Sequence, residues 1–306
     1  MINSLEELRS FLVDTILEKS RLAVLEISGL DSEILAISIA PESNLLECWQ
    51  LMREKLALTQ RWPVIVCGWD GGNWINSISF EFSRHVFNNE STQSLINRAE
   101  QLDVEAFFHQ QANTRDEWWT PITINQTIKS ELELTRNQFG AAPSQQQLQS
   151  YLDSQRGDPQ LAIESYLFNW ELQYFPQQAI SSVPNDYWDW YQPENQFLAL
   201  ALLPTQESWQ TLVYLHWYAA ETIGSDLAAA ILKSWQSRYG AEIVAHYGTM
   251  LQLLSQKRPI QPQLAFQLAW QQYTIAPCTL ALPGVSLRDH ARALLHQSKW
   301  FLHERP

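Results

Sequence analysis

Cysteine is scarce in this 306-residue chain: only Cys48, Cys67 and Cys278 occur. They are widely spaced and odd in number, which argues against a disulfide framework and suits unpaired thiols in a reducing compartment. Basic residues are also few. Twenty Lys plus Arg stand against thirty-three Asp plus Glu, a formal charge of −13. Such a field repels phosphate backbones and anionic lipid, so neither nucleic acid nor a membrane is an expected partner. No apolar run approaches the roughly 20 residues of a spanning helix, and the longest, 197–204, stops at Pro204. The start, Met1-Ile2-Asn3-Ser4-Leu5-Glu6-Glu7, carries acids where a secretory signal carries basic residues; the cytoplasm is the expected compartment. No repeat of fixed period is visible.

What is present is the composition of a folding chain, with 45% hydrophobic and 17% charged residues, and its length suits one or two domains. Ser4 with Glu7 forms a capping box, and Leu5, Leu8, Leu12 and Ile16 recur at helical spacing, which predicts an opening helix. Residues 21–27 and 33–40 are rich in Ile, Val and Leu around the turn-like Gly29-Leu30-Asp31-Ser32 and read as a hairpin. Ser43 is placed to cap a helix bearing Leu45, Trp49, Met52 and Leu56, and residues 62–67 read as a buried strand. From 92 to 173 the pattern is mainly helical, with Asp158-Pro159 as a start signal. Strands are expected at 196–203, 241–247, 250–255 and 299–303, and the middle two form a hairpin at Gly248-Thr249. Helices are expected at 225–239, stopping at Gly240, then from Pro262 and from Ser286 to Ser298.

The expected fold class is α/β in the broad, α+β sense: small mixed or antiparallel sheets with packed helices, in two units. The expected division is an N-terminal α/β portion, 1–175, with a helical insertion, a linker, 176–194, and a C-terminal domain, 195–306. The linker region holds Pro176, Pro184 and Pro193 and shows little periodicity.

The run Trp235-Gln236-Ser237-Arg238-Tyr239-Gly240-Ala241-Glu242 resembles the helix-to-strand passage of a mainly bacterial family, domain of unknown function 4253. Similar segments are Ala201-Leu202-Leu203-Pro204, Tyr214-Leu215-His216-Trp217, Arg258-Pro259, Leu268-Ala269-Trp270-Gln271-Gln272-Tyr273, Pro277-Cys278 and Ser298-Lys299-Trp300-Phe301. Nearer the start, Arg61-Trp62-Pro63-Val64-Ile65 is similar to the longer members. The chain departs from the pattern where Thr279 replaces an acid after the Pro-Cys pair and where Leu302-His303 replaces a Trp-rich, acidic ending. The resemblance implies a shared fold over the last third of the chain and implies no activity.

Few residues carry a chemical motif. Gly68-Trp69-Asp70-Gly71-Gly72-Asn73 has the glycines of a phosphate cradle, but no Lys-Ser or Lys-Thr pair follows, and a glycine-rich hairpin turn explains it better. The histidines never form His-Glu-x-x-His, and His290 and His296, six apart, fall on different helical faces. Neither a metal nor a cofactor is expected. Cys278 is the one candidate nucleophile, if His246 or His290 reaches it, with a buried apolar role as the alternative. Asp186 and Asp189 are candidate paired carboxylates. They are interspersed with Tyr187, Trp188, Trp190 and Tyr191, whose rings can stack on a ligand, anchor a partner, or fasten the linker to one domain.

Two functional readings follow. The first is a non-catalytic interaction protein, an adaptor or neutralising partner of a basic bacterial protein, binding through Trp188, Asp189 and Trp190; the acidic charge speeds encounter with cationic surfaces. The alternative is a hydrolase acting on a sugar or small molecule through carboxylates or Cys278. A deep pocket with convergent acids distinguishes the second from the first.

Overall fold

The computed structural model describes residues 1–30, 33–68, 73–83, 90–181, 193–194 and 196–305. Seven strands appear among them: β1 (Leu22–Leu25), β2 (Ile34–Ile39), β3 (Trp62–Gly68), β4 (Phe197–Leu203), β5 (Glu242–His246), β6 (Met250–Leu254) and β7 (Lys299–His303). The helices, in chain order, are α1 (Leu5–Phe11), α2 (Leu45–Glu54), α3 (Leu56–Thr59), α4 (Trp74–Ser83), α5 (Thr92–Ala99), α6 (Val104–Asn113), α7 (Pro121–Phe139), α8 (Gln145–Leu152) and α9 (Pro159–Tyr174). They continue with α10 (Thr211–Tyr214), α11 (Ala220–Ile223), α12 (Ser225–Tyr239), α13 (Pro262–Ile275), α14 (Cys278–Ala281) and α15 (Leu287–His296). The fold is mixed α/β, as expected, and no described helix is long and apolar enough to cross a membrane.

Two compact units emerge, each built from separate segments: Met1–Leu102, Tyr187–Lys257 and Lys299–Pro306 form the first, Asp103–Asp186 and Arg258–Ser298 the second. All seven strands lie in the first, as one sheet in the order β1-β2-β4-β3-β5-β6-β7. Only β3 and β5 run parallel; the other neighbours are antiparallel. The division is thus drawn differently from 1–175, 176–194 and 195–306. Strand β4 pairs with β2 through Leu35 and Leu202 and with β3 through Val64 and Ala201, so strands from both sides of the expected linker share one core. A central strand is covered on both faces, which is why the longest apolar run of the chain sits there, buried from Leu198 to Leu203.

Pro63 occupies an interior strand without breaking the ladder. Trp62 N–H points toward β4 and donates to Thr205 O (2.6 Å), so the missing N–H of Pro63 faces the β5 side, where pairing begins only at Ile65. The Pro63 carbonyl accepts the indole N–H of Trp49 instead (3.0 Å).

Two local expectations change. Helix α2 is capped by Asn44, whose side chain accepts from Leu46 N and Glu47 N, and not by Ser43. Strand β3 is followed by helix α4 and not by a second hairpin strand; Gly71 and Gly72, where the hairpin turn was expected, lie outside the described residues. Ile78, Phe80 and Phe82 alternate as in a strand, yet Ile78 and Phe82 are buried while Phe80 is 56% exposed, the outcome of helical spacing. A Cβ at Gly68 would stand 2.6 Å from Ser77 Cβ, so glycine lets α4 close on the end of β3.

In the second unit, α7, α8 and α9 bury Ile128, Leu132, Leu148, Ile163 and Leu167 against one another. Asp158 caps α9 by accepting from Leu161 N, with Pro159 at the first helical position, as expected. Ser286 caps α15 by accepting from Asp289 N, and that helix ends at His296.

Candidate functional site

The polar interior of the second unit begins with helical spacing. Glu164 and Glu171 are two turns apart on α9, Arg288 and Arg292 one turn apart on α15, and Glu131 and Thr135 one turn apart on α7, so each pair shares a face. Packing brings these faces together with almost no exposure of Glu164, Glu171, Arg288 or Arg292. Arg288 Nη1 donates to Glu164 Oε2 (2.6 Å) and Nη2 to Glu131 Oε2 (3.1 Å), and Nε lies 3.0 Å from Glu171 Oε1. Arg292 pairs with Glu171 Oε2, donates to Asp289 Oδ1 (2.6 Å) and sends Nε to Ala179 O (2.9 Å). Glu164 also accepts from Leu287 N (3.4 Å) and Gln160 Nε2 (3.3 Å).

Burial alone would lower the Arg288 pKa, but the carboxylates of Glu164, Glu171 and Glu131 more than reverse this, and the guanidinium stays charged. Burial, then repulsion from Glu164, pushes Glu131 up to about 7 against the attraction of Arg288. Burial also raises Glu171, opposed by both arginines. A cavity of about 250 Å³ opens beside Glu131 and Glu164, with Gln160, Tyr273 and Ser286 among its lining. Glu164 already accepts from three donors, so the cluster acts as a buried fastener of α7, α9 and α15 more than as an acid–base pair. Loss of one partner from such a cluster costs about 3–5 kcal/mol.

An adjoining face of α9 lines a larger hollow. A groove of about 470 Å³ lies among α6, α9 and α13, with Phe108, Phe168, Phe266 and Trp270 supplying its aromatic lining. Glu105, His109, Asn169, Gln263 and Gln267 add polar groups. Phe168 and Phe266 stack at 5.2 Å with planes 19° apart, and the Arg292 guanidinium sits 5.8 Å from the Phe168 ring. The ionic cluster therefore backs the groove floor directly. An aromatic recess with a few polar groups is the usual form of a site that seats an apolar anchor.

The sequence-expected residues are distributed otherwise. Trp188, Asp189, Trp190 and Asp186 lie outside the described residues. Cys278 is partly buried at the start of the four-residue α14. Of its two candidate histidines, His290 bonds to Gln272 Oε1 (2.8 Å), and burial pushes it down to about 3, a neutral imidazole unable to stabilise a thiolate. His246, in the first unit, takes Gly248 N–H on Nδ1 (3.1 Å) and donates Nε2–H to Leu215 O (3.0 Å). His296 bonds to Ile180 O (2.6 Å). Among the described residues no group of three or more His, Cys, Asp or Glu is placed to hold a metal ion. The charged cluster and groove were missed because their residues come from helices far apart in the chain. The available signal was two Glu at a seven-residue interval on α9, matched by two arginines four apart on α15.

No curated protein and no solved structure matches the chain. Residues 199–303, from β4 to the end of β7, match the family described as Domain of unknown function (DUF4253), so the resemblance in the last third of the sequence holds.

Proposed function

We propose that the chain is a protein-interaction module, an adaptor or neutralising partner of a basic protein, and that the groove among α6, α9 and α13 seats an apolar side chain of that partner. The single observation that carries this reading is the groove itself: about 470 Å³, lined by the stacked rings of Phe168 on α9 and Phe266 on α13. Rigid aromatic recesses make interface centres because little ordering entropy is lost on binding. The formal charge of −13 favours a cationic partner through long-range attraction. Trp188, Asp189 and Trp190 belong to the same proposal as additional contacts. Hydrolysis through carboxylates or Cys278 draws less support, since Glu164 is engaged by three donors and His290 is neutral.

The test uses a purified partner and three variants. Gln267 is exposed and lines the groove, so Gln267→Arg adds bulk and a repelling charge without touching the core; it should weaken binding by about tenfold or more with an unchanged melting curve. Trp190→Ala should raise the dissociation rate, and Asp189→Asn should slow association at low salt. A partner that binds Gln267→Arg as tightly as wild type removes the groove from the reading.

A further inference from the structure

A separate cavity of about 460 Å³ opens in the second unit, beside the apolar core of α7, α8 and α9. Ile124 and Leu152 form one wall, and both pack against the buried cluster of those helices. Two opposite charges line the same space: Arg115, between α6 and α7, and Asp153, at the end of α8. They do not neutralise each other. Among the described residues neither forms an ion pair; Arg115 Nη2 donates to Trp119 O (3.1 Å), and Asp153 Oδ1 accepts from Gln149 Nε2 (2.8 Å). We propose that this cavity binds an α-amino acid with a large apolar side chain, its carboxylate on Arg115 and its ammonium on Asp153.

The chemistry of the lining selects this class of ligand. A guanidinium and a carboxylate each offer several hydrogen-bonding positions, and the single contact that each makes leaves most of them for a ligand. A zwitterion answers both charges at once, with charge-assisted hydrogen bonds at its two ends. A ligand with one charge leaves the other group unanswered. The wall of Ile124 and Leu152 suits an apolar side chain, and the volume lies within the range of about 300–1,000 Å³ usual for small-molecule sites. No aromatic ring lines the cavity, so the apolar face of a sugar has nothing to stack on.

The site is held in shape before any ligand arrives. Gln149 stands one helical turn from Asp153 and orients its carboxylate, which makes Gln149 a positioning residue. The segment leaving α8 lies against the end of α6: Asp158 N donates to Ala112 O (3.0 Å), and a Cβ at Gly157 would collide with that same carbonyl. Glycine therefore sets the rim. A rim fixed in this way loses little ordering entropy on binding.

The full chain is titrated with L-leucine, L-methionine and L-phenylalanine, and binding is read by saturation-transfer NMR. At least one of the three should bind saturably, with a dissociation constant below about 1 mM. Its amide, which lacks the carboxylate, and its deaminated acid, which lacks the ammonium, should each bind at least about tenfold more weakly. Arg115 and Asp153 are exposed, so Arg115→Gln and Asp153→Asn should leave the melting curve unchanged while each weakens binding about tenfold or more. No saturable binding of any of the three up to about 10 mM overturns the proposal. So does an amide or deaminated acid that binds as tightly as the amino acid, or wild-type affinity in either variant. Gln267 does not line this cavity, so Gln267→Arg should bind the amino acid as wild type does, and this proposal and the groove can fail separately.

Discussion

A carboxyl held near neutrality inside a helical unit links one residue to the stability of the fold. Glu131 titrates at about 7 in the folded chain, against 4.5 unperturbed. Between those values the folded state binds more protons than the unfolded state, so this contribution is full below the unfolded pKa and is lost as pH rises through 7. The groups facing Glu131 are Glu164 on α9 and Arg288 and Asp289 on α15, with Tyr273 of α13 lining the same cavity. Glu131→Gln keeps an acceptor for Arg288 and removes the titration. Thermal melts from pH 5 to 8.5 should show wild type losing stability relative to this variant as pH rises. Parallel pH profiles would remove Glu131 as the source. Nothing in the sequence around Glu131 marks it, because its pKa is set by burial and then by Glu164 and Arg288, which are distant in the chain and adjacent only after α7, α9 and α15 pack.

At the scale of elements, local chemistry was legible at several helix ends. Ser4, Asp158 and Ser286 cap the helices expected of them, and Gly240 ends α12 in the left-handed region at φ +62°, because caps are satisfied within a few residues of the chain. The start of α2 shows the limit. Ser43 and Asn44 are adjacent and both able to cap, and backbone geometry gives the role to Asn44. Asn44→Ala should lower stability by about 1 kcal/mol, while Ser43→Ala should be near neutral, measured by denaturant unfolding. The reverse ranking would return the cap to Ser43. Strand β3 and helix α4 show the other limit: a hairpin turn was expected at the glycine-rich run after β3, and helix α4 follows instead, its close approach to β3 permitted by Gly68.

At the scale of the molecule, chain order and spatial order part. A fragment of residues 195–306 carries β4 without its neighbours β2 and β3, and Arg288 and Arg292 without Glu131, Glu164 and Glu171. It should melt without cooperativity and show collapsed amide dispersion, whereas the full chain melts sharply. A sharp, two-state melt of the fragment would show that it folds alone. Spacing and local hydrogen bonding mark most of the elements, several of their caps, the buried character of β4 and the likeness of the last third to one family. Only the tertiary structure decided which strands share a sheet, which charges are buried together, and which rings and hydroxyls face one another. Several of those pairings, such as Val64 with Ala201 and Glu164 with Arg288, join residues more than a hundred positions apart, and neither propensity nor periodicity carries information across such a distance.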